Sequence, residues 1–223
     1  MSPRTMSFSC IHSSPFPLRR EWRESGERFL EVATVPGSLP PIMYPDLGIC
    51  GLSCRLCPRY YTDGSSRCHG CKTPSRMEAG CPFITCALRR QQVEFCVCCE
   101  DADHCARWQR HRSTGLERDS FVSYQSLERD IAYVQEHGIA AFSSIQEYRA
   151  SLLRVLLEEF NDGRSKTLFC IAASVMGAEE LDQVIRTVHG HSEGLSKQEK
   201  ALLMRSQLME IAKDRGYCLR LRQ

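Results

Sequence analysis

The stretch CGLSCRLCP, residues 50–58, places three cysteines within eight residues and a proline directly after the third. The 223-residue chain has 14 cysteines, and eleven of them fall between Cys50 and Cys105. Sulfur this dense serves disulfide bonds, a metal ion, an iron–sulfur cluster or redox chemistry. The chemistry of these cysteines therefore decides how the first half of the chain folds.

A disulfide framework is disfavoured for this cysteine set. Such frameworks are typical of small secreted chains. The N-terminus carries arginines but no apolar segment, so we expect no secretory signal. The number of clustered cysteines is odd, and a long cysteine-poor region follows them. We therefore expect free thiols that bind an inorganic partner.

The overall composition is that of a folded protein with a small net charge, and so with a weak overall electrostatic field. Hydrophobic residues make up 42% and charged residues 25% of the chain, and the formal net charge is +2. That charge recruits neither nucleic acid nor anionic lipid. No run of 18 apolar residues exists, so we expect no transmembrane helix and a cytoplasmic protein without membrane contacts.

Three regions differ in composition. Residues 1–42 are rich in proline, serine and glycine, and Met43 would make a natural initiator. We expect residues 1–42 to be a flexible N-terminal extension or an upstream translation artefact. Residues 43–115 form a cysteine-rich, metal-binding module, and residues 116–223 form an α-helical domain. The predicted fold class is thus a small irregular cysteine-rich module with short helices, followed by an all-α helical domain.

The cysteine module has many turn residues and few long apolar runs, as in TDGSSRCHGC and CEDADHC. A stretch this poor in aliphatic side chains buries little apolar area, so we expect metal to hold it together. Two short helices are predicted, near FITCALRRQQ and near DHCARWQRH.

Helix signals are strong in the second half. A periodic apolar run ends at His137-Gly138, and the next begins at Ser144 with Glu147 in capping-box spacing. SKTLFCIAASVMG and AEELDQVIRTVHG predict two more helices, each closing near a glycine.

The last helix is predicted to begin at Ser196, which has Glu199 three residues on, and to end at Gly216. The alternating segment YCLRLR then suggests a short terminal strand. The isolated Cys170 and Cys218 are expected to be buried small hydrophobes.

Cysteines separated by two residues can supply adjacent corners of a zinc tetrahedron from one tight turn. The module has several cysteine pairs of this kind and of wider spacing, and spacing alone does not decide which pairs share an ion. The pairs with two intervening residues are Cys54/Cys57, Cys68/Cys71 and Cys96/Cys99, and the wider ones are Cys50/Cys54, Cys81/Cys86 and Cys99/Cys105.

Neighbouring residues offer further ligands. His69 and His104 lie beside ligand cysteines, but with so many thiols nearby we interpret both as exposed polar residues. Cys98 adjoins Cys99, and adjacent residues rarely ligate one ion well. We therefore interpret Cys98 as a spare thiol or as a ligand of a second site.

Zinc and an iron–sulfur cluster compete for the same thiolates. Proline after a cluster ligand is common in ferredoxins, and Cys57-Pro58 has that feature. The spacing from Cys50 through Cys54 to Cys57 also resembles the motif of radical S-adenosylmethionine enzymes, but no strand–helix alternation predicts their barrel. A catalytic cysteine, or a metal ion with an open coordination position, is the least supported interpretation. The neighbouring sequence indicates neither a base for a cysteine nucleophile nor a further residue that would orient such a base.

With these residues described, the chain resembles a widespread prokaryotic family known as domain of unknown function 3795. The resemblance covers about residues 44–220. It rests on CGLSCRLCPRYYT, CHGCK, GCPFITCA, FCVCCEDADHCARW, LLEEFNDGRSKTLFCIAA and the SKQEKALLMRSQLMEIAKDRGY tail. The family pattern has Phe-Pro before its last cysteine, whereas Asp103-His104 stand there in this chain, and Cys98 is additional to the usual set. The resemblance implies these metal ligands: Cys50, Cys54, Cys57, Cys68, Cys71, Cys81, Cys86, Cys96, Cys99 and Cys105.

The sequence thus predicts a zinc-binding, cysteine-rich protein with ions at two sites and a structural or interaction role. An iron–sulfur protein acting in electron transfer or redox sensing is the alternative, and a metal- or cysteine-dependent enzyme is the second alternative. A protein partner suits an interaction role, whereas the C2H2 spacing of a DNA-reading finger is absent.

Overall fold

The computed structural model describes residues 39–78 and 81–223, and this part of the chain is mostly helical. The predicted flexible extension over residues 1–42 therefore lies almost wholly outside the described residues. The described helices are α1 (Pro74–Glu78), α2 (Pro82–Ile84, continued by a π-turn over Thr85–Arg90), α3 (Ala106–Glu117), α4 (Leu127–Glu159), α5 (Lys166–Val175), α6 (Ala178–Gly190) and α7 (Lys197–Arg215).

The cysteine-rich region consists largely of short turns. Within residues 39–78 and 81–105, four 3₁₀ turns precede α3, and they lie at Cys54–Leu56, Pro58–Tyr61, Cys96–Cys98 and Ala102–His104. The irregular module with short helices and the helical second half are both confirmed at this coarse level. The boundaries at 42/43 and 115/116 stay predictions.

Helix α4 has a break at Gly138, whose φ of 80° and ψ of 168° are not helical. The predicted helix end at His137-Gly138 is confirmed as this break. The predicted start at Ser144 is wrong, because helical structure resumes directly after Gly138. Ser144 therefore lies inside α4, where its hydroxyl donates to the carbonyl of Ala140 at 3.2 Å.

Helix α7 begins and ends as its sequence predicts. The Ser196 amide donates to the Glu199 carboxylate at 2.8 Å, and the Glu199 amide donates to the Ser196 hydroxyl at 3.3 Å. This capping box satisfies two amides that the first helical turn leaves free. At the other end Gly216 adopts the left-handed conformation, with φ of 74°.

The predicted terminal strand is wrong, since residues 217–222 form no strand and the described ranges contain none. A strand needs a partner strand, and here the tail meets side chains instead. The Gln125 amide donates to the Cys218 carbonyl at 3.0 Å. Leu219 is buried against the helical core, so the alternating pattern reflects packing of the tail rather than a sheet.

The helical core is centred on α5, which is buried along most of its length. Apolar side chains of α4, α6 and α7 pack against α5, among them Leu153, Leu181 and Leu208, each with no exposed surface. Leu56 of the cysteine region inserts into the same core and is 4% exposed. The turn that carries Cys54 and Cys57 is thereby anchored in the helical domain.

The cysteine region also contains apolar packing that the composition did not lead us to expect. Two small clusters of buried side chains lie there, and the first includes residues of α4. The clusters are Leu47, Phe95, Val97, Trp108, Leu127, Ile131, Val134 and Phe142, and Ile49, Ile84, Ala87 and Leu88. Burial of side chains of this kind contributes about 1.5–3 kcal/mol each. Among the described helices, none is long and apolar enough to cross a membrane.

Candidate metal centre

Two of the three C-x2-C pairs lie on 3₁₀ turns. The Cys57 amide donates to the Cys54 carbonyl at 3.1 Å, and the Cys99 amide donates to the Cys96 carbonyl at 3.2 Å. Cys54 and Cys96 begin these turns, and Cys57 and Cys99 follow them in extended conformation. Each turn therefore brings its two cysteines close together along the backbone, as in C-x2-C zinc ligands.

The third pair, Cys68/Cys71, lies on a loop that runs back against the first. The Cys68 amide donates to the Arg59 carbonyl at 3.0 Å. Between the two cysteines, Gly70 has φ of 107°, and a Cβ there would lie 3.8 Å from the Cys54 sulfur. Glycine permits both this backbone conformation and the close approach of the loop to Cys54.

Thiols from these two segments meet directly. Cys54 and Cys71 share a hydrogen bond between their side chains, which lowers the pKa of Cys71 to about 7 and raises the pKa of Cys54. Burial raises the pKa of Cys57, and the neighbouring Cys68 adds to that rise. Cys54 and Cys71 are thus joined by their thiols, and Cys57 interacts electrostatically with both Cys68 and Cys71.

Cys50 lies beside this group. Its sulfur and the Cys71 sulfur lie 3.4 and 4.0 Å from the position that a Cβ on Gly48 would occupy. Burial raises the pKa of Cys50 to about 12, and the nearby Cys71 and Cys81 add to the rise. Cys50 thus lies close to Cys71, and it also interacts electrostatically with Cys81.

A second group of thiols follows along the chain. Three successive hydrogen bonds of i to i+3 type run from Cys96 to Cys105, with Ala102 between Cys99 and Cys105. Burial raises the pKa of Cys96 to about 12, and its neighbours Cys50, Cys105, Cys86 and Cys99 add to the rise. Burial raises the pKa of Cys99, and its neighbours Asp101, Cys86 and Cys105 add to the rise.

Gln91 holds Cys86 against this second group. The Gln91 amide donates to the Cys86 carbonyl at 2.9 Å, and its side chain donates to the Asp101 carboxylate at 3.2 Å. A further hydrogen bond joins α3 to this segment, because the Arg107 guanidinium donates to the Pro82 carbonyl at 3.1 Å. The segment that carries Cys86 is therefore fixed to the turns that carry Cys99 and Cys105.

A buried ion pair links the two groups. Lys72, next to Cys71, has no exposed side-chain surface and donates to the Glu94 carboxylate at 2.7 Å. Lys72 also donates to the Tyr44 carbonyl at 2.9 Å and lies 3.9 Å from the ring centre of Phe95. Because Phe95 directly precedes Cys96, this contact joins the Cys68–Cys71 loop to the start of the second group.

The remaining cysteines and histidines differ in their exposure. Cys98, His69 and His104 are exposed, as the sequence predicts for the histidines. Cys170 is 1% exposed, which confirms that it is a buried cysteine. The predicted burial of Cys218 is wrong, because Cys218 is half-buried and its thiol donates to the Arg220 carbonyl. Cys170 also interacts electrostatically with Cys57. Sequence reasoning missed this proximity, because no local pattern connects α5 with the cysteine region.

The donor set fits a thiophilic cation. Every cysteine among the described residues is a free thiol. Burial disfavours the thiolate at several of them, and a bound cation reverses that preference by stabilising the negative sulfur. Within residues 39–78 and 81–223, however, no three His, Cys, Asp or Glu side chains are arranged to hold an ion. Coordination therefore requires side chains of each group to turn toward a common centre.

Comparison of the chain with protein-family models, with curated proteins and with solved structures finds no match, so the resemblance described above stays a prediction from the motifs.

Proposed function

We propose that the cysteine-rich region is a zinc-binding module that carries ions at two sites and serves a structural or protein-interaction role. The observation that supports this most directly is the convergence of free thiols in pairs on tight turns, in a segment built mainly of short turns. Thiolates in tetrahedral sets of four are the usual ligands of structural zinc.

Zinc bound by four thiolates would cross-link turns that have limited packing of their own. Its binding free energy is then also folding free energy, because the ligands are not assembled in the unfolded chain. The charge balance is compatible with this role. Residues 43–115 have ten basic and seven acidic side chains, and a zinc ion with four thiolates carries a charge of −2. Two such sites would leave the module close to neutral.

An iron–sulfur cluster is the second candidate. Cys54 and Cys57 are buried, and burial around a cluster shields it from solvent and tunes its potential. The Cys57-Pro58 sequence is also common beside cluster ligands. An enzyme that uses a cysteine or an open metal position stays the third candidate.

Metal analysis of the full chain, purified without oxygen and without added chelator, tests the proposal. We expect a colourless protein with about two zinc ions per chain. A brown protein containing iron and acid-labile sulfide would show that the module binds an iron–sulfur cluster instead of zinc. A folded protein that contains no metal, with all thiols free or joined as disulfides, would overturn both.

A further inference from the structure

Helix α7 has apolar side chains on two of its faces. The face toward the core includes Ala201, Met204 and Leu208, none of which has any exposed surface. On another face Leu202 is 62% exposed and Met209 is 53% exposed. Among the described residues, these are the only two exposed large hydrophobic side chains that share a helix. A helix with apolar residues on more than one side is typical of one that packs on more than one side.

The exposed face of α7 has the residue spacing of a seam between two helices. Its members follow one another at intervals of three, four, three and four residues, and all of them are exposed. They are Glu199, Leu202, Ser206, Met209 and Lys213, and we call them the α7 stripe. This alternation places side chains along one side of a helix, as at the a and d positions of a coiled coil. Because the small Ser206 lies at the midpoint, a second helix can approach closely there.

The two ends of the α7 stripe carry opposite charges. The amide and the hydroxyl of Ser196 both donate to Oε2 of Glu199, at 2.8 and 2.7 Å. Within the described part of the chain, neither Oε1 of Glu199 nor the ammonium of Lys213 has a hydrogen bond or an ion pair. The capping box already holds the Glu199 carboxylate in place, so a further ion pair there costs little side-chain entropy.

We propose that α7 packs against α7 of a second copy of this chain, in antiparallel orientation and around a two-fold axis beside Ser206. Each Leu202 then lies near Met209 of the other copy, and each Glu199 lies near Lys213 of the other copy. The two-fold axis makes every contact occur twice. Parallel packing would bring Glu199 against Glu199 and Lys213 against Lys213, so charge complementarity selects the antiparallel orientation.

The proposed contact is small. One helix face against its copy buries less than the roughly 1,200 Å² of a stable interface, so association should be weak and should depend on concentration. Sedimentation velocity of the full chain from about 1 to 500 μM measures this association. Reducing conditions exclude dimers that are joined by disulfide bonds. We expect monomers at the lowest concentration and dimers at the highest.

Leu202→Gln tests the apolar part of the α7 stripe, and Leu116→Gln is its matched control. Both leucines lie on helices and both are 62% exposed, but Leu116 lies on α3. Leu202→Gln should weaken association at least about tenfold, because each dimer loses two leucine contacts. Leu116→Gln should leave association unchanged. Equal effects of the two substitutions would overturn the proposal.

Glu199→Gln tests the charged part of the α7 stripe. Glutamine also fits a capping box, so the start of α7 is retained while both ion pairs lose a charge. Association should weaken about fivefold, as expected for two exposed ion pairs. Added salt should weaken association of the unmodified chain and should have little effect on Glu199→Gln. Stronger association in salt would indicate that like charges meet, and would overturn the antiparallel orientation.

Hydrogen exchange of the unmodified chain locates the contact without any substitution. The amides of α7 should exchange more slowly at the highest concentration than at the lowest, whereas those of α3 should not change. A dimer in which exchange of α7 is unchanged would overturn the proposal. A chain that stays monomeric at every concentration would also overturn it, and would leave the α7 stripe to a different partner.

Discussion

Arg222 binds the buried carboxylate of Asp119 through both its backbone and its side chain. Its amide donates to Asp119 at 2.8 Å and its guanidinium at 3.0 Å, and the Asp119 side chain has no exposed surface. The same guanidinium donates to the Gly115 and Leu116 carbonyls, each at 2.7 Å. The tail is thereby bound to the C-terminal turn of α3 and to the segment that follows it.

Replacing Arg222 by alanine should destabilise the protein by about 3 kcal/mol, because a buried carboxylate loses its charged partner. Arg220→Ala is the control, since Arg220 is exposed and its change should stay within about 0.5 kcal/mol. Urea unfolding monitored by circular dichroism measures both free energies. Equal midpoints for the two variants would show that the contact with Asp119 contributes nothing.

The same contact should make stability depend on pH in the acid range. Burial raises the pKa of Asp119, but hydrogen bonds from Arg222 and Tyr124 outweigh it, so the pKa lies below its ordinary value of 3.8. A carboxyl whose pKa is lower in the folded state stabilises the fold above its unfolded pKa. This stabilisation is lost as the pH falls through the lowered folded value.

Thermal unfolding between neutral and strongly acidic pH tests this expectation. The unmodified chain should lose stability below about pH 4. Asp119→Asn should be less stable at neutral pH and should show a shallower acid dependence. An unchanged acid dependence in Asp119→Asn would assign the effect to other carboxyl groups.

Helix positions were predictable from the sequence where local signals agree. At Ser196 and Glu199 the spacing, the preceding loop and the periodic run all indicate one helix start, and the structure has it there. At Ser144 the same spacing gives a wrong prediction, because the helix resumes directly after the break at Gly138 and already includes Ser144. The conformation of one glycine outweighed a local capping pattern, and sequence spacing does not report that conformation.

The candidate site was predictable in its parts but not in its assembly. The C-x2-C spacing indicates tight turns, and Cys54/Cys57 and Cys96/Cys99 adopt them. How the cysteine-bearing segments assemble depends on single side-chain contacts, such as that of Gln91 with Asp101. Glutamine and aspartate are common surface residues, and neither has a periodic or spacing signal that would reveal this contact.

Replacing Lys72 by alanine should destabilise the cysteine module by about 3 kcal/mol, because Glu94 would be left as a largely buried, unpaired charge. Arg90→Ala is the control, since Arg90 is exposed and lies in the same module. Hydrogen exchange over residues 40–100 measures the local effect. Equal protection in the two variants would contradict a supporting role for the ion pair.

Replacing Gly138 by alanine should destabilise the protein by about 1–3 kcal/mol, because the φ of 80° and ψ of 168° suit glycine almost alone. Gly190→Ala is the control. Gly190 ends α6, and a Cβ there meets no atom within 4 Å. Alanine should therefore be neutral or slightly stabilising at this position. Equal losses at both positions, measured by thermal unfolding, would show that the break in α4 is not held in this conformation.

Removal of metal should open residues 44–112 before the helical domain. The helices bury a continuous core around α5, whereas the described residues of the cysteine region have two small apolar clusters. Metal-binding free energy in that region is therefore a large share of its folding free energy. Hydrogen exchange with and without chelator should show lost protection in residues 44–112 and retained protection in α5 and α7.

Two cysteine variants separate this effect from general loss of thiols. Cys54→Ser should lose metal and reproduce the exchange pattern of the chelated protein, because Cys54 is one of the expected ligands and its thiol interacts with that of Cys71. Cys218→Ser should keep its metal and its protection, since Cys218 lies in the C-terminal tail and is not one of the expected ligands. Equal metal content in the two variants would contradict the assignment of Cys54. Unchanged exchange of residues 44–112 after complete chelation would show that packing alone maintains the module.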